Sequence, residues 1–106
     1  MRLYHNPRCS KSRQALEILN DRGIDFEEYR YLEKGIALED FDIIMELEDS
    51  IRTNDIDTKI NINDKIVLRK LLQKDPKILQ RPILIANGEA IIGRPPELIV
   101  TLLPDP

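Results

Sequence analysis

The residues best equipped for chemistry lie in one short run, His5-Asn6-Pro7-Arg8-Cys9-Ser10-Lys11-Ser12-Arg13. Cys9 is the only cysteine of the 106-residue chain and His5 the only histidine. Cys9 falls between an expected strand and the start of an expected helix. Unpaired backbone N–H groups and the positive end of the helix dipole favour an anion there. With Arg8 and Lys11 adjacent, the thiol pKa is expected to fall from ~8.5 into the range of about 3.5–7.5 seen for such sites. Ser12, one helical turn on, is placed to donate its hydroxyl to the thiolate. A nucleophile and an oxyanion cradle would then share one place.

Other readings of these residues compete with this one. A lone cysteine is most often a buried, inert side chain; the helix start and the basic, proline-containing loop favour the reactive reading. A phosphatase-type loop also joins a thiolate to an oxyanion site, but it needs an arginine six positions after the cysteine, where this chain has Ala15. His5 either tunes the thiolate or is a satisfied strand-end histidine. With one cysteine there is no intramolecular disulfide and no cysteine-rich zinc site, and no metal is expected. Redox chemistry at Cys9 would need its second thiol from another molecule.

Two distant arginines have stiff surroundings. Arg81 precedes Pro82 at the start of a strand, and Arg94 precedes Pro95-Pro96 where a strand breaks. A lone arginine is usually a solvated surface residue, but a planar anion-binding fork benefits from such fixed backbone.

The elements that must position these groups follow from the sequence pattern. Residues 2–5 read as a strand and Asn6-Pro7 as a turn. A helix is expected from about Ser10 to Arg22, with Ala15, Leu16, Ile18 and Leu19 as its apolar stripe and Gly23 as its stop. Residues 26–31 read as a second strand, completing a parallel βαβ unit. The segment from about 37 to 80 reads as a helical insertion. Leu38, Phe41, Ile44, Met45 and Glu48 recur at helical spacing, Asn63 is placed to cap a helix carrying Val67, Leu68, Leu71 and Leu72, and Asp75-Pro76 is a second start signal. Residues 54–63 read as a loop with short helical turns. Ile83–Ala86, Asn87-Gly88 and Glu89–Ile92 form a hairpin with a primed turn. A last helix is expected from about Pro96, with Leu98, Ile99, Leu102 and Leu103 on one side and Pro104 ending it. The order β-α-β, helical insertion, β-β-α predicts one α/β domain over residues 1–106. It has a mixed four-stranded sheet, compatible with a thioredoxin-like fold.

Composition narrows the class. The chain is 42% hydrophobic and 33% charged with net charge −3, which suits a globular protein and argues against a nucleic-acid binder. No apolar run approaches the ~18 residues of a membrane helix. The N-terminus lacks a secretory h-region, so a cytoplasmic location is expected. Charge is uneven: from Met1 to Leu16 the charged side chains are Arg2, Arg8, Lys11 and Arg13, whereas Glu39 to Asp49 is mostly acidic.

The run Tyr4-His5-Asn6-Pro7-Arg8-Cys9-Ser10-Lys11-Ser12-Arg13 resembles the active-site segment of the glutaredoxin-linked arsenate reductases. Arg81-Pro82-Ile83, Asn87-Gly88 and Ile92-Gly93-Arg94-Pro95-Pro96-Glu97 resemble that family's C-terminal signature, and Tyr31-Leu32-Glu33 a shorter one. The resemblance spans nearly the whole chain. It implies a thioredoxin-like fold with a cis proline at Pro82, and a cysteine, Cys9, that attacks arsenate with the help of three arginines. Two of these would be Arg81 and Arg94. The third would be Arg52, where the match is weaker because residues 49–63 depart from the family pattern and look shortened. His5 and Ser12 match positions that support the thiolate. No bound cofactor is implied; glutathione would be the co-substrate and glutaredoxin the protein partner, supplying the thiols the chain lacks. Two alternatives share the fold: a glutathione-dependent thiol oxidoreductase with no arsenate role, and a regulator of the Spx type that binds RNA polymerase. Typical Spx regulators carry a Cys-x-x-Cys switch, whose second position is Ser12 here.

Overall fold

A computed structural model of the chain gives the fold of residues 1–53, 56, 57 and 59–103. Strands β1 (Arg2–Tyr4), β2 (Glu27–Tyr29), β3 (Ile83–Ala86) and β4 (Glu89–Ile92) form one sheet in the order β2-β1-β3-β4. β1 is parallel to β2 and antiparallel to β3, and β3 pairs antiparallel with β4. The sheet is therefore mixed and four-stranded, as the element order predicts. The helices are α1 (Ser10–Asp21), α2 (Tyr31–Lys34), α3 (Phe41–Glu46) and α4 (Lys65–Lys74), with 3-10 segments at Leu38–Asp40, Pro76–Ile78 and Pro96–Leu102.

Strand alternation divides the core into two layers. Leu3 and Leu84 point to one face and pack with Ala15, Leu19 and Ile99, so α1 and the C-terminal 3-10 segment cover that side. Tyr4, Ile83 and Ile85 point to the other and pack with Tyr29, Tyr31, Ile44, Leu72 and Leu79 beneath the inserted helices. All four residues of β3 are buried, which explains why that strand reads as an unbroken apolar run. Gly23 ends α1 at φ 65°; its N–H reaches the Asn20 carbonyl and the Ile24 N–H reaches that of Leu19, the paired bonds of a Schellman stop. The β3–β4 turn has positive φ at both Asn87 and Gly88, as a type I′ turn requires.

A polar cluster fastens the insertion to β1. Asp40, 3% exposed, accepts from Arg2 Nη1 at 2.6 Å and from the Tyr4 hydroxyl at 2.7 Å. The Tyr4 oxygen in turn accepts from the Ala37 N–H at 3.0 Å. Arg2 also bonds Glu27 at 2.8 Å and Glu39 at 3.1 Å, so this member of the basic N-terminal run is engaged away from Cys9.

Several elements depart from the sequence reading. β2 stops at Tyr29, and Tyr31 opens α2 instead of ending a strand. α4 is capped by Asp64, not Asn63: the Asp64 carboxylate accepts from the Ile66 and Val67 N–H groups, which buries Leu68 and Leu72 and leaves Val67 exposed. Leu38 is 74% exposed, and Glu48 lies beyond α3, because the regular helix runs only over Phe41–Glu46. The final element is a 3-10 segment, Pro96–Leu102. Of the loop expected over residues 54–63, positions 54, 55 and 58 lie outside the described residues, as does the stop expected at Pro104.

Candidate active site

Cys9 is the N-cap residue of α1, with extended backbone at φ −94° and ψ 124°. Its side chain makes no cap hydrogen bond, but the thiol lies at the helix start, where the Lys11 and Ser12 N–H groups act on it. Burial alone would push the thiol pKa up; the Ser12 and Lys11 N–H groups and the Arg81 guanidinium outweigh it and hold the pKa below the ordinary thiol value. The preceding loop is held by its own bonds. Cys9 N–H donates to the Asn6 carbonyl, Arg8 N–H donates to Asn6 Oδ1 at 3.0 Å, and Arg13 Nη1 donates to the Pro7 carbonyl at 2.8 Å. Backbone amides and a distant arginine, rather than the neighbouring side chains of Arg8, Lys11 and Arg13, thus lead the stabilisation of the thiolate.

Ser12 contributes differently from the sequence expectation. Its side chain is fully buried, with the hydroxyl oxygen 2.7 Å from His5 Nδ1 and accepting from the Asn6 N–H at 2.9 Å. Burial lowers the His5 pKa, an effect that Glu28 partly opposes, so the ring is neutral. His5 Nε2 lies 3.8 Å from Glu28 Oε1, beyond hydrogen-bond distance, so the direction of the Nδ1–Ser12 Oγ bond follows the ring tautomer. The Ser12 oxygen is thus engaged by His5 and Asn6, and Ser12 acts on the thiol through its backbone N–H. His5 lies just past β1 and fixes the loop by donating its backbone N–H to the Tyr29 carbonyl at 2.9 Å.

The distant arginines arrive through the sheet. The turn before β3 carries Arg81, and the break after β4 carries Arg94. The β3–β4 pairing sets these positions side by side, with Gly93 N–H donating to the Pro82 carbonyl at 2.8 Å. Arg94 Nε donates to the Arg81 carbonyl at 2.9 Å, which anchors the side chain and leaves its terminal amino groups for a ligand. Both Arg81-Pro82 and Arg94-Pro95 are cis. Arg52 comes close by another route. The chain around Ile51 bridges antiparallel to Leu79, Arg52 N–H donates to the Ile78 carbonyl at 2.7 Å, and Gln80 N–H donates to the Ser50 carbonyl at 2.7 Å. Arg52 and Arg94 consequently line one cavity of about 350 Å³ with Asp49, Ile51, Thr53 and Gln80. Cys9 does not line that cavity; Arg81 is the link between the two.

Tyr31 also belongs here, and sequence reasoning gave it no role in the chemistry. It is fully buried, and its hydroxyl feels the charges of Arg81, Cys9 and Arg94. Its aromatic character and burial read as core. Gly93, part of the C-terminal signature but given no role by the sequence, leaves no room for a side chain: a Cβ there would meet Pro82 Cγ at 2.8 Å. Among the described residues no group of three or more His, Cys, Asp and Glu side chains is placed to hold a metal, and no helix is long and apolar enough to cross a membrane.

A mixed sheet of this order, with a thiol at the start of α1 and Arg81 from the turn before β3 acting on it, defines a thioredoxin-like thiol protein. Residues 4–102 match the ArsC family, and the chain belongs to it. An arsenate reductase of Neisseria meningitidis serogroup B is 36% identical, with 97% of each chain covered. The uncharacterized protein YfgD of Escherichia coli K12 is 34% identical over 97% of this chain and 96% of that one. The solved structure of an arsenate reductase from Vibrio cholerae superposes with a TM-score of 0.78 at 31% identity, covering 97% of this chain and 98% of that one.

Proposed function

We propose that the protein is an arsenate reductase that uses Cys9 as nucleophile and depends on glutathione and glutaredoxin. The observation that carries this reading is the Cys9 thiol at the start of α1, its pKa lowered by the Ser12 and Lys11 N–H groups and the Arg81 guanidinium, with Arg94 anchored on the Arg81 carbonyl. In this reading the arginine forks hold arsenate over the sulfur and stabilise the charge that shifts as it reacts. The Cys9 thiolate forms an S–As bond and an arsenate oxygen leaves as water after taking up protons. Glutathione thiolate then attacks the adduct: an S–S bond forms between glutathione and Cys9, the S–As bond breaks, and its electron pair stays on arsenic. As(V) becomes As(III), and the two sulfurs are oxidised to a mixed disulfide. The chain has one cysteine, so regenerating Cys9 requires an outside thiol, which glutaredoxin supplies. Arg52, which lines the same cavity as Arg94, is the third arginine of this scheme.

Arg81→Lys and Arg94→Lys test the role of the forks. Lysine keeps the charge but cannot reproduce a bidentate contact. Losing one charge-assisted hydrogen bond costs about 1.5–3 kcal/mol, so arsenite production should fall roughly ten- to a hundredfold. Wild-type rates in both variants would exclude the arginines from the site. Formation of the glutathione mixed disulfide without any arsenite would instead assign the protein to glutathione-dependent thiol exchange.

A further inference from the structure

Two buried polar side-chain atoms among the described residues have no hydrogen-bond partner: the Tyr31 hydroxyl and Arg81 Nε. Both lie at the same place. The Tyr31 hydroxyl feels the charges of Arg81, Cys9 and Arg94, and Arg81 sits against the Cys9 thiol. The Tyr31 ring is fixed within the layer that contains Ile78, Leu79 and Ile83, with its centroid 6.0 Å from that of Tyr4. The contrast with Tyr4 is informative, because that equally buried hydroxyl is satisfied by Asp40 and the Ala37 N–H. An unpaired buried hydroxyl is a net cost that phenylalanine would avoid. Among the described residues none is placed to bond the Tyr31 hydroxyl, and the guanidinium groups whose charges it feels only donate. An acceptor must come from outside.

We infer that the Tyr31 hydroxyl is a further donor of the anion site, hydrogen-bonding an oxygen of a tetrahedral oxyanion held over Cys9 by Arg81 and Arg94. The inference rests on the reading of this site as an oxyanion site and adds to it a substrate preference. A fixed neutral donor between two cations rewards a ligand with several acceptor oxygens, as arsenate and phosphate have, over a peptide disulfide. Burial pushes the phenol pKa up to about 12, so the group stays protonated and able to donate across the physiological range.

The test uses the intact protein and inorganic phosphate, which binds as an oxyanion without being reduced. Phosphate held over Cys9 should protect it from iodoacetamide, and the half-protecting concentration reports binding. Tyr31→Phe should raise that concentration about tenfold and leave the melting temperature unchanged or higher, since the atom removed has no partner in the folded chain. Sodium arsenate should behave in the same way. Equal protection of Tyr31→Phe and wild type would overturn the inference. A lowered melting temperature or failure to fold would also overturn it, by showing that the hydroxyl makes a structural bond. No protection of the wild type by either anion would remove the oxyanion site itself. Protection of the wild type that weakens in Tyr31→Phe, with no arsenite formed from arsenate, would uphold Tyr31 and reject the reductase reading alone.

Discussion

Replacing Gly93 with alanine adds one methyl group where the structure leaves no space for it. The new carbon would sit 2.8 Å from Pro82 Cγ and 3.1 Å from Ile99 Cγ2. Carbon atoms pack best at about 3.5–4.0 Å, so the closer contact is short by about 0.7 Å or more. Neither neighbour yields easily. Pro82 and Ile99 are fully buried, a proline ring cannot rotate away, and the Gly93 N–H to Pro82 carbonyl bond ties the two backbones together at 2.8 Å. Overpacking of this kind costs about 1–3 kcal/mol, and each kcal/mol lowers the melting temperature of a domain this size by about 4–8 °C. The displacement also falls between the two proposed anion-binding forks, because Arg81 precedes Pro82 and Arg94 follows Gly93. Misplacing catalytic groups by up to 1 Å costs on the order of a hundredfold, so arsenite production per folded molecule should fall at least tenfold. Gly23→Ala is the control. Its φ of 65° is unfavourable for alanine, but no atom lies within 4 Å of the added carbon. It should lose about 1 kcal/mol through backbone strain and keep the wild-type rate. The measurement is thermal melting by circular dichroism alongside initial rates. A Gly93→Ala variant with the stability and rate of the wild type would refute the packing argument and the placement of the two arginines that depends on it.

Three other outcomes can be checked independently. The alkylation midpoint of Cys9 should lie below that of a free thiol in the folded protein and return to about 8.5 in denaturant; equal midpoints would refute the electrostatic argument for the helix start. Because the folded pKa is the lower one, the stability difference between wild type and Cys9→Ala should increase as pH rises from the folded midpoint toward ~8.5 and level off above it. Asp40→Ala leaves Arg2 and the Tyr4 hydroxyl without their shared acceptor and should lower the unfolding free energy by about 3 kcal/mol. A loss under ~1 kcal/mol would mean that the cluster behaves as a surface ion pair.

Much of this architecture could be read from the sequence because local chemistry and tertiary demand agree. The βαβ opening, the Gly23 stop and the Asn87-Gly88 turn are each fixed by residues within a few positions of one another. Errors arose where a distant contact decides. Asp64 rather than Asn63 caps α4, a choice local chemistry leaves open because Asn and Asp are equally good caps. Tyr31 leaves the strand pattern because its ring is needed in the layer below β1 and β3. The site shows the same division. Cys9 at a helix start is a local signal, and Arg81 and Arg94 stand out by their prolines. The route of the Ser12 hydroxyl to His5, the orphaned Tyr31 oxygen and the steric role of Gly93 depend on atoms that are remote in sequence or on a tautomer. No spacing rule reports these.

The most direct measurement is arsenite itself, separated from arsenate and quantified by element-specific detection. The purified protein would be incubated with arsenate, glutathione, glutaredoxin, glutathione reductase and NADPH. Wild-type protein should form arsenite over many turnovers, stop when glutathione and glutaredoxin are replaced by thioredoxin, and yield none as Cys9→Ser. Absence of arsenite from the wild type, in a coupling mixture shown to be active with a known reductase, or arsenite formation by Cys9→Ser, would contradict the account.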